Sequence, residues 1–239
     1  MLDKTKFDAQ SLSFVLPEHM REREHSKMID RQLGFKILKI EQKLIKQYKP
    51  FYMAADYDGE KKSFDDGAEA WIGLHPQILL TPYSEIYKIL TSITRYKIKS
   101  ITDFGCAYGR IGIVASVLFP ECKFIGYEIV SERAKEAERV LDTLDSSSHE
   151  IHTINILDDD FILPKTDVYF IYDFGHVEHI KKILDKLIVM MNGHNFILVA
   201  RGDEVRSIIQ MYYPSFYVRH KPLHKRGWSI FFNHPEMLD

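Results

Sequence analysis

Two segments of this chain carry residue types at spacings suited to chemistry. The first is Asp103-Phe104-Gly105-Cys106-Ala107-Tyr108-Gly109, which follows a β-rich run from Ser100 and leads into Arg110-Ile111-Gly112, a helix start. Small residues at 105, 107 and 109 let the backbone turn sharply after a strand and approach a ligand with no large side chain in the way. Further on, the β-rich run 123–127 ends in Glu128, where an open α/β sheet places an acid for ribose hydroxyls. A carboxylate accepts two hydrogen bonds at once, and a vicinal diol offers two donors at matching separation. The second segment is Tyr172-Asp173-Phe174-Gly175-His176-Val177-Glu178-His179. It falls at the end of an expected strand, outside which open α/β sheets bind their ligands. Three chemistries fit it. His176 or His179 serves as general base for a hydroxyl; Asp173 and Tyr172 orient an amine; or Asp173, His176 and His179 hold a metal. The metal option is the least favoured, because its ligand set is incomplete. The non-chemical reading is a helix capped by Asp173 with solvated histidines after it.

The order Asp-x-Gly-x-small-x-Gly over 103–109 resembles motif I of the class I S-adenosylmethionine-dependent methyltransferases. A hydride-transfer loop prefers Gly-x-Gly-x-x-Gly, whose helix N-terminus meets a pyrophosphate. Here Ala107 replaces the second glycine and Arg110 stands where the third should be. The resemblance implies that Asp103, Gly105, Ala107 and Gly109 hold the methionine part of S-adenosyl-L-methionine and that Glu128 grips the ribose. It also implies an adenine contact from Asp160 with Phe161 beside it, the register among Asp158, Asp159 and Asp160 staying open. The segment from Trp71-Ile72-Gly73-Leu74-His75-Pro76 to Thr81-Pro82-Tyr83 stands just upstream of motif I, where related families close the cofactor pocket, and Tyr83 is counted with the cofactor residues. A weaker likeness to the non-SET protein-lysine methyltransferases rests on an Asp-Phe pair after strand three and a Gly-x-Glu at strand two.

The resemblance breaks at 173–176. Amino methyltransferases acting on adenine or glutamine carry Asn or Asp, two prolines and an aromatic there. An unidentified protein or small-molecule acceptor is therefore favoured over nucleic acid. A noncatalytic cofactor-binding scaffold and, behind it, a nicotinamide-dependent oxidoreductase are the competing readings.

The elements that must position these residues alternate from residue 98 onward. Strands are expected at 100–104, 123–127, 151–156, 167–172 and 195–200, with helices from Arg110, after a Ser131 cap, near Glu178 and at Asp203. Pro120 and Asn192-Gly193 stop two of them. Segments 215–220 and 228–233 read as an antiparallel hairpin, its loop holding the basic cluster Arg219-His220-Lys221 and His224-Lys225-Arg226. The expected class is α/β, a Rossmann-like doubly wound sheet, mostly parallel, with a C-terminal hairpin and an N-terminal helical extension. The catalytic domain spans 71–239 and the extension 1–70. Within the extension, apolar residues at Met28, Leu33, Ile37, Ile40, Leu44 and Tyr48 mark one amphipathic helix ended by Pro50. It is expected to cap the acceptor side near Tyr83 and Phe174, or to form a homodimer. Polar stretches at 56–62 and 65–67 read as a surface loop or a linker. Thr81 followed by Pro82 reads as an N-cap and first helical residue.

Composition bounds the rest. The chain has 239 residues, 45% of them hydrophobic, enough for a sizeable core. A net charge of −2 provides no general basic field for nucleic acid. Cys106 and Cys122 lack metal spacing and form no disulfide framework, which fits a cytoplasmic setting. No apolar run is long enough to span a bilayer.

Overall fold

Val168-Tyr169-Phe170-Ile171 and Ile197-Leu198-Val199-Ala200 are apolar on both sides of the pleat, so their strands need cover on both faces. The computed structural model describes residues 7–52, 62–63, 69–73, 75–145, 148–218 and 220–233, and helices flank its central sheet on both sides.

A 3-10 turn at Ala9–Ser11 precedes α1 (Glu22–Gln32) and α2 (Ile37–Tyr52), and a small antiparallel ribbon of β1 (Lys62–Ser63) and β2 (Glu69–Ala70) follows. Then come α3 (Pro76–Leu79), α4 (Tyr83–Thr91), β3 (Ser100–Phe104), α5 (Arg110–Leu118), β4 (Lys123–Glu128), α6 (Ser131–Leu141) and β5 (Ser148–Thr153). The chain continues through β6 (Val168–Tyr172), α7 (Val177–Met190), β7 (Ile197–Arg201), α8 (Asp203–Tyr212), α9 (Ser215–Val218), β8 (Leu223–Lys225) and β9 (Trp228–Phe232). The sheet order is β5-β4-β3-β6-β7-β9-β8. Strands β5 to β7 in that order are parallel, β9 is antiparallel to β7, and β8 is antiparallel to β9. This is the doubly wound, mostly parallel sheet with a terminal hairpin that the resemblance implies.

The two-residue period of the strands sorts their side chains between two cores. Ile101, Val168, Phe170, Ile197 and Val199 pack with Ile86 and Ile89 of α4 and Ile113 and Val114 of α5. Phe104, Tyr169, Ile171, Leu198 and Ala200 pack with Ile183 and Leu187 of α7 and Ile208 of α8.

Several expectations at the edges are corrected. The N-terminal stripe is two helices, because Gly34 adopts φ +68° and closes a Schellman motif: Gly34 N–H donates to Arg31 at 3.1 Å and Phe35 N–H to Asp30 at 2.9 Å. Pro50 does not end α2, which runs to Tyr52. The third strand lies at Ser148–Thr153, not 151–156, and residues 154–163 form the loop after it. Segment 215–218 is helical, so the hairpin strands are β8 and β9 around Gly227. Pro82, not Thr81, is the N-cap of α4, and Val130, not Ser131, that of α6; neither cap makes a side-chain bond. Of the expected linker, all but Lys62 lies outside the described residues, as do Leu74 and Arg219.

The N-terminal stripe docks within the chain itself. Ile29 and Leu33 join the core of α4 and α5. Ile37 packs with Leu80, Ala107 and Tyr108, and Leu44 with Ile72 and Val130. Its cover is thus α4 with Tyr83, whose hydroxyl donates to Asp30 at 3.1 Å, the β3–α5 turn and the start of α6; of the two expected partners Tyr83 is met and Phe174 is not, and Leu33, Ile37 and Leu44 are buried rather than left open as a dimer face. Two buried ion pairs fasten the same helices: Asp30 to Arg110 at 2.5 Å and Glu41 to Arg133 at 2.9 Å.

Candidate functional site

Where the sheet order reverses between β3 and β6, the helices that follow lie on opposite faces and a crevice opens at the C-terminal strand ends. A cavity of about 230 Å³ lies there. The β3–α5 turn, Glu128 at the end of β4 and Ile129 after it, Ile154 to Leu157 after β5, and Tyr172 at the end of β6 with Asp173 and Phe174 after it form its wall, with Trp71, Arg133 and His179 around it.

The β3–α5 turn is shaped for close approach. Gly105 has φ +76°, and a Cβ there would lie 3.2 Å from the Phe174 Cβ. Ala107 takes φ +48°, the one positive φ among described residues other than glycine, a conformation that costs an L-residue about 1–2 kcal/mol. The Ala107 amide repays it by donating to Glu128 Oε2 at 2.9 Å, while Val130 N–H donates to Oε1 at 2.8 Å. Glu128 therefore ties two loops together and still faces the cavity, with lone pairs beyond those two bonds. Burial pushes its carboxyl upward, opposed by Arg133 and the two backbone donors. Asp103, one strand over and in register with Gly126, is pushed up to about 8 by burial and then by the charge of Glu128.

The sequence-derived candidates divide. Gly105, Ala107, Glu128, Tyr172 and Asp173 line the cavity. Asp103 and Gly109 lie behind it: Asp103 is buried, and Gly109 is the N-cap of α5 at φ +69°, against Ala137 and Leu141. Tyr83 is not a wall residue. It is fully buried, its hydroxyl donating to Asp30 at 3.1 Å and the Arg110 guanidinium 4.8 Å from its ring. Asp160 is exposed, and Phe161 sits edge-on to Tyr127 at 5.1 Å, propping a wall residue from outside. Asn155 to Leu157, not Asp160, are the residues of the loop after β5 that line the cavity.

At the end of β6, Asp173 caps a helix, but it is α8: Oδ1 accepts from Val205 N–H at 2.9 Å. Gly202 has φ +100°, and a Cβ there would overlap the Asp173 carboxylate. Desolvation pushes the Asp173 carboxyl up, and the Val205 amide opposes it. His176 is the N-cap of α7 in a capping box with His179, and only His179 reaches the cavity wall. Tyr172 lies beneath Arg201, whose guanidinium is 4.0 Å from its ring and pairs with Glu85 at 2.9 Å. Among the described residues, no three His, Cys, Asp or Glu side chains are grouped to hold a metal ion.

Sequence reasoning missed two polar wall residues, Arg133 and Asn155. Arg133 binds Glu41 through Nε and Nη2 at 2.9 and 3.0 Å, and Tyr108 donates to the same carboxylate at 2.7 Å. Their signal was a charge inside an apolar stripe: Glu41 between Ile37 and Leu44, Arg133 one turn before Ala137. Asn155 had no signal beyond its polarity. His179 was one of two histidines that the sequence left undecided.

No family model matches the chain, and no curated protein matches it. Among solved structures it is similar to a precorrin-6y C5,15-methyltransferase from Geobacter metallireducens (17% identity over 56% of this chain and 70% of that one, TM-score 0.45). It is also similar to an RNA methyltransferase from Salinibacter ruber in complex with S-adenosyl-L-homocysteine (14% identity, 65% and 94%, TM-score 0.46). A third is the plantazolicin methyltransferase BamL (15% identity, 49% and 46%, TM-score 0.38).

Proposed function

We propose that the chain is an S-adenosylmethionine-dependent methyltransferase acting on a protein or small-molecule acceptor. The observation that carries this reading is the Glu128 carboxylate at the cavity wall, held by the Ala107 and Val130 amides at the end of β4. Such an acid at a crevice beside the strand-order reversal suits a ribose diol. The residues fit the cofactor in kind: a narrow turn at Gly105 and Ala107 for the methionine part, Glu128 for the ribose, and Ile129, Ile156 and Leu157 as apolar walls for adenine. Bound there, the cofactor supplies an electrophilic methyl group. The protein's part is to orient the acceptor, exclude water and take up a proton, for which the candidate at the wall is the His179 imidazole, whose Nδ1 accepts from the His176 N–H at 3.4 Å in the α7 capping box.

Absence of a proline pair at 174–175 and the net charge of −2 support a protein or small-molecule acceptor over nucleic acid. One observation favours a noncatalytic cofactor-binding protein as the second reading: the Asp173 carboxylate is committed to α8 and its carbonyl accepts the Trp71 indole N–H. A tritiated-methyl transfer screen against lysate fractionated into protein, RNA and small molecules separates the two. Label in the protein or small-molecule fraction supports the first reading; cofactor binding with no label in any fraction supports the second.

A further inference from the structure

Glu41 belongs to α2, yet its carboxylate is the main partner of Arg133, a wall residue of the cavity on α6. The two side chains are only 4% and 3% exposed. An ion pair this deeply buried is a poor way to add stability, since apolar residues of similar volume commonly serve as well or better. Its geometry suggests another role. The same Arg133 Nη2 that meets Glu41 also donates to the Trp71 carbonyl at 2.6 Å. From there the Trp71 indole N–H reaches the Asp173 carbonyl at 3.3 Å, at the end of β6. Trp71 therefore bridges from the α6 wall to the β6 wall and lines the cavity between them. Next to it, buried Ile72 packs on Leu44, one turn along α2 from Glu41.

We propose that Glu41 and Arg133 are positioning residues that fix Trp71 as the roof of the cavity. The N-terminal helix thereby acts on a site it does not line. Glu41 fixes the guanidinium in one plane through two parallel bonds, a fork that only arginine offers. The guanidinium then sets the height of the Trp71 backbone, and the Asp173 carbonyl sets the tilt of its ring. Freed from Glu41, Arg133 would turn toward Glu128, the other acid whose charge acts on it, and the Trp71 carbonyl would lose its anchor. The inference rests on the cofactor reading for its effect on affinity, but not for the position of the roof.

The chain has two tryptophans, Trp71 and Trp228, so protein labelled with 5-fluorotryptophan shows two fluorine NMR resonances. Trp71→Phe identifies which is which, and Trp228, in the core, is the internal control. In ligand-free Glu41→Gln, the Trp71 resonance should move toward that of the free amino acid while the Trp228 resonance stays in place. The dissociation constant for S-adenosylhomocysteine, measured by calorimetry, should rise about tenfold. A Trp71 resonance unmoved in folded Glu41→Gln overturns the proposal. Should that variant fail to fold, Arg133→Lys, which keeps the charge but loses the fork, carries the same test with the same two outcomes. If the wild type does not bind S-adenosylhomocysteine, the cofactor reading fails, and the ligand-free Trp71 resonance still decides the positioning claim.

Discussion

Glu128 is asked to do two jobs, and replacing it should expose both. In Glu128→Gln one oxygen remains to accept a backbone N–H, while the new amide NH2 faces the other donor, so either Ala107 or Val130 loses its partner. A buried amide left unsatisfied costs about 1–3 kcal/mol, which should appear as a lower melting temperature with a still cooperative transition. Losing the charge-assisted pair to a diol should weaken cofactor binding by about 2–4 kcal/mol, roughly 30- to 1,000-fold. Loop disturbance alone would also weaken binding, so affinity by itself does not assign the diol. Comparing adenosine with 2′,3′-dideoxyadenosine does, in the manner of a double-mutant cycle. Calorimetry on the wild type should show a strong preference for adenosine, and in Glu128→Gln that preference should shrink by at least tenfold. If the preference is the same in both proteins, Glu128 holds the loops but not the ribose, and the reasoning fails.

Three further outcomes follow from buried charge and from the wall. Asp103 carries a carboxyl raised from 3.8 to about 8, so the folded protein holds a proton that the unfolded chain has released. Its stabilising contribution is full below the unfolded value and fades as pH climbs through about 8; melting temperatures taken from pH 5 to 8 should fall more steeply for the wild type than for Asp103→Asn, and parallel curves would contradict this. Asp30→Asn leaves Arg110 buried with a broken ion pair and should cost about 3–5 kcal/mol in urea denaturation. The double variant Asp30→Leu with Arg110→Met should recover much of it, and a double variant no better than the single would speak against a desolvated pair. His179→Ala should lower methyl transfer by about 10²-fold or more if the imidazole is the base, while His176→Ala, off the wall, keeps turnover within a few-fold; the reverse order would relocate the chemistry.

The central strands were legible because they are buried on both faces. Runs such as 197–200 contain no polar residue to mislead, and all four of those side chains are buried. Edges were harder. β5 is an edge strand with Ser, His, Glu, His and Thr at five of its six positions and no buried residue among the six, so its apolar pattern pointed three residues too far. The loop after it therefore starts at residue 154, and Asn155 to Leu157 of that loop line the cavity while Asp160 is exposed. The break between α1 and α2 was written in Leu33-Gly34, but an apolar period that continues across a glycine reads as one helix until the left-handed φ is seen. Arg110 was read as the residue that spoils a dinucleotide loop; its partner Asp30 lies 80 residues away in sequence, a separation at which no local pattern pairs two charges. Asp173 stood at the expected place, yet its carboxylate serves α8, a helix that begins 30 residues later.

Calorimetric titration of the wild-type protein with S-adenosylhomocysteine, run beside an identical titration with NAD, tests the central claim most directly. The account predicts saturable heat with one site per chain for S-adenosylhomocysteine and none for NAD, because the turn at 105–109 lacks the glycines that bring a helix N-terminus to a pyrophosphate. Saturable binding of NAD with no heat from S-adenosylhomocysteine would contradict it.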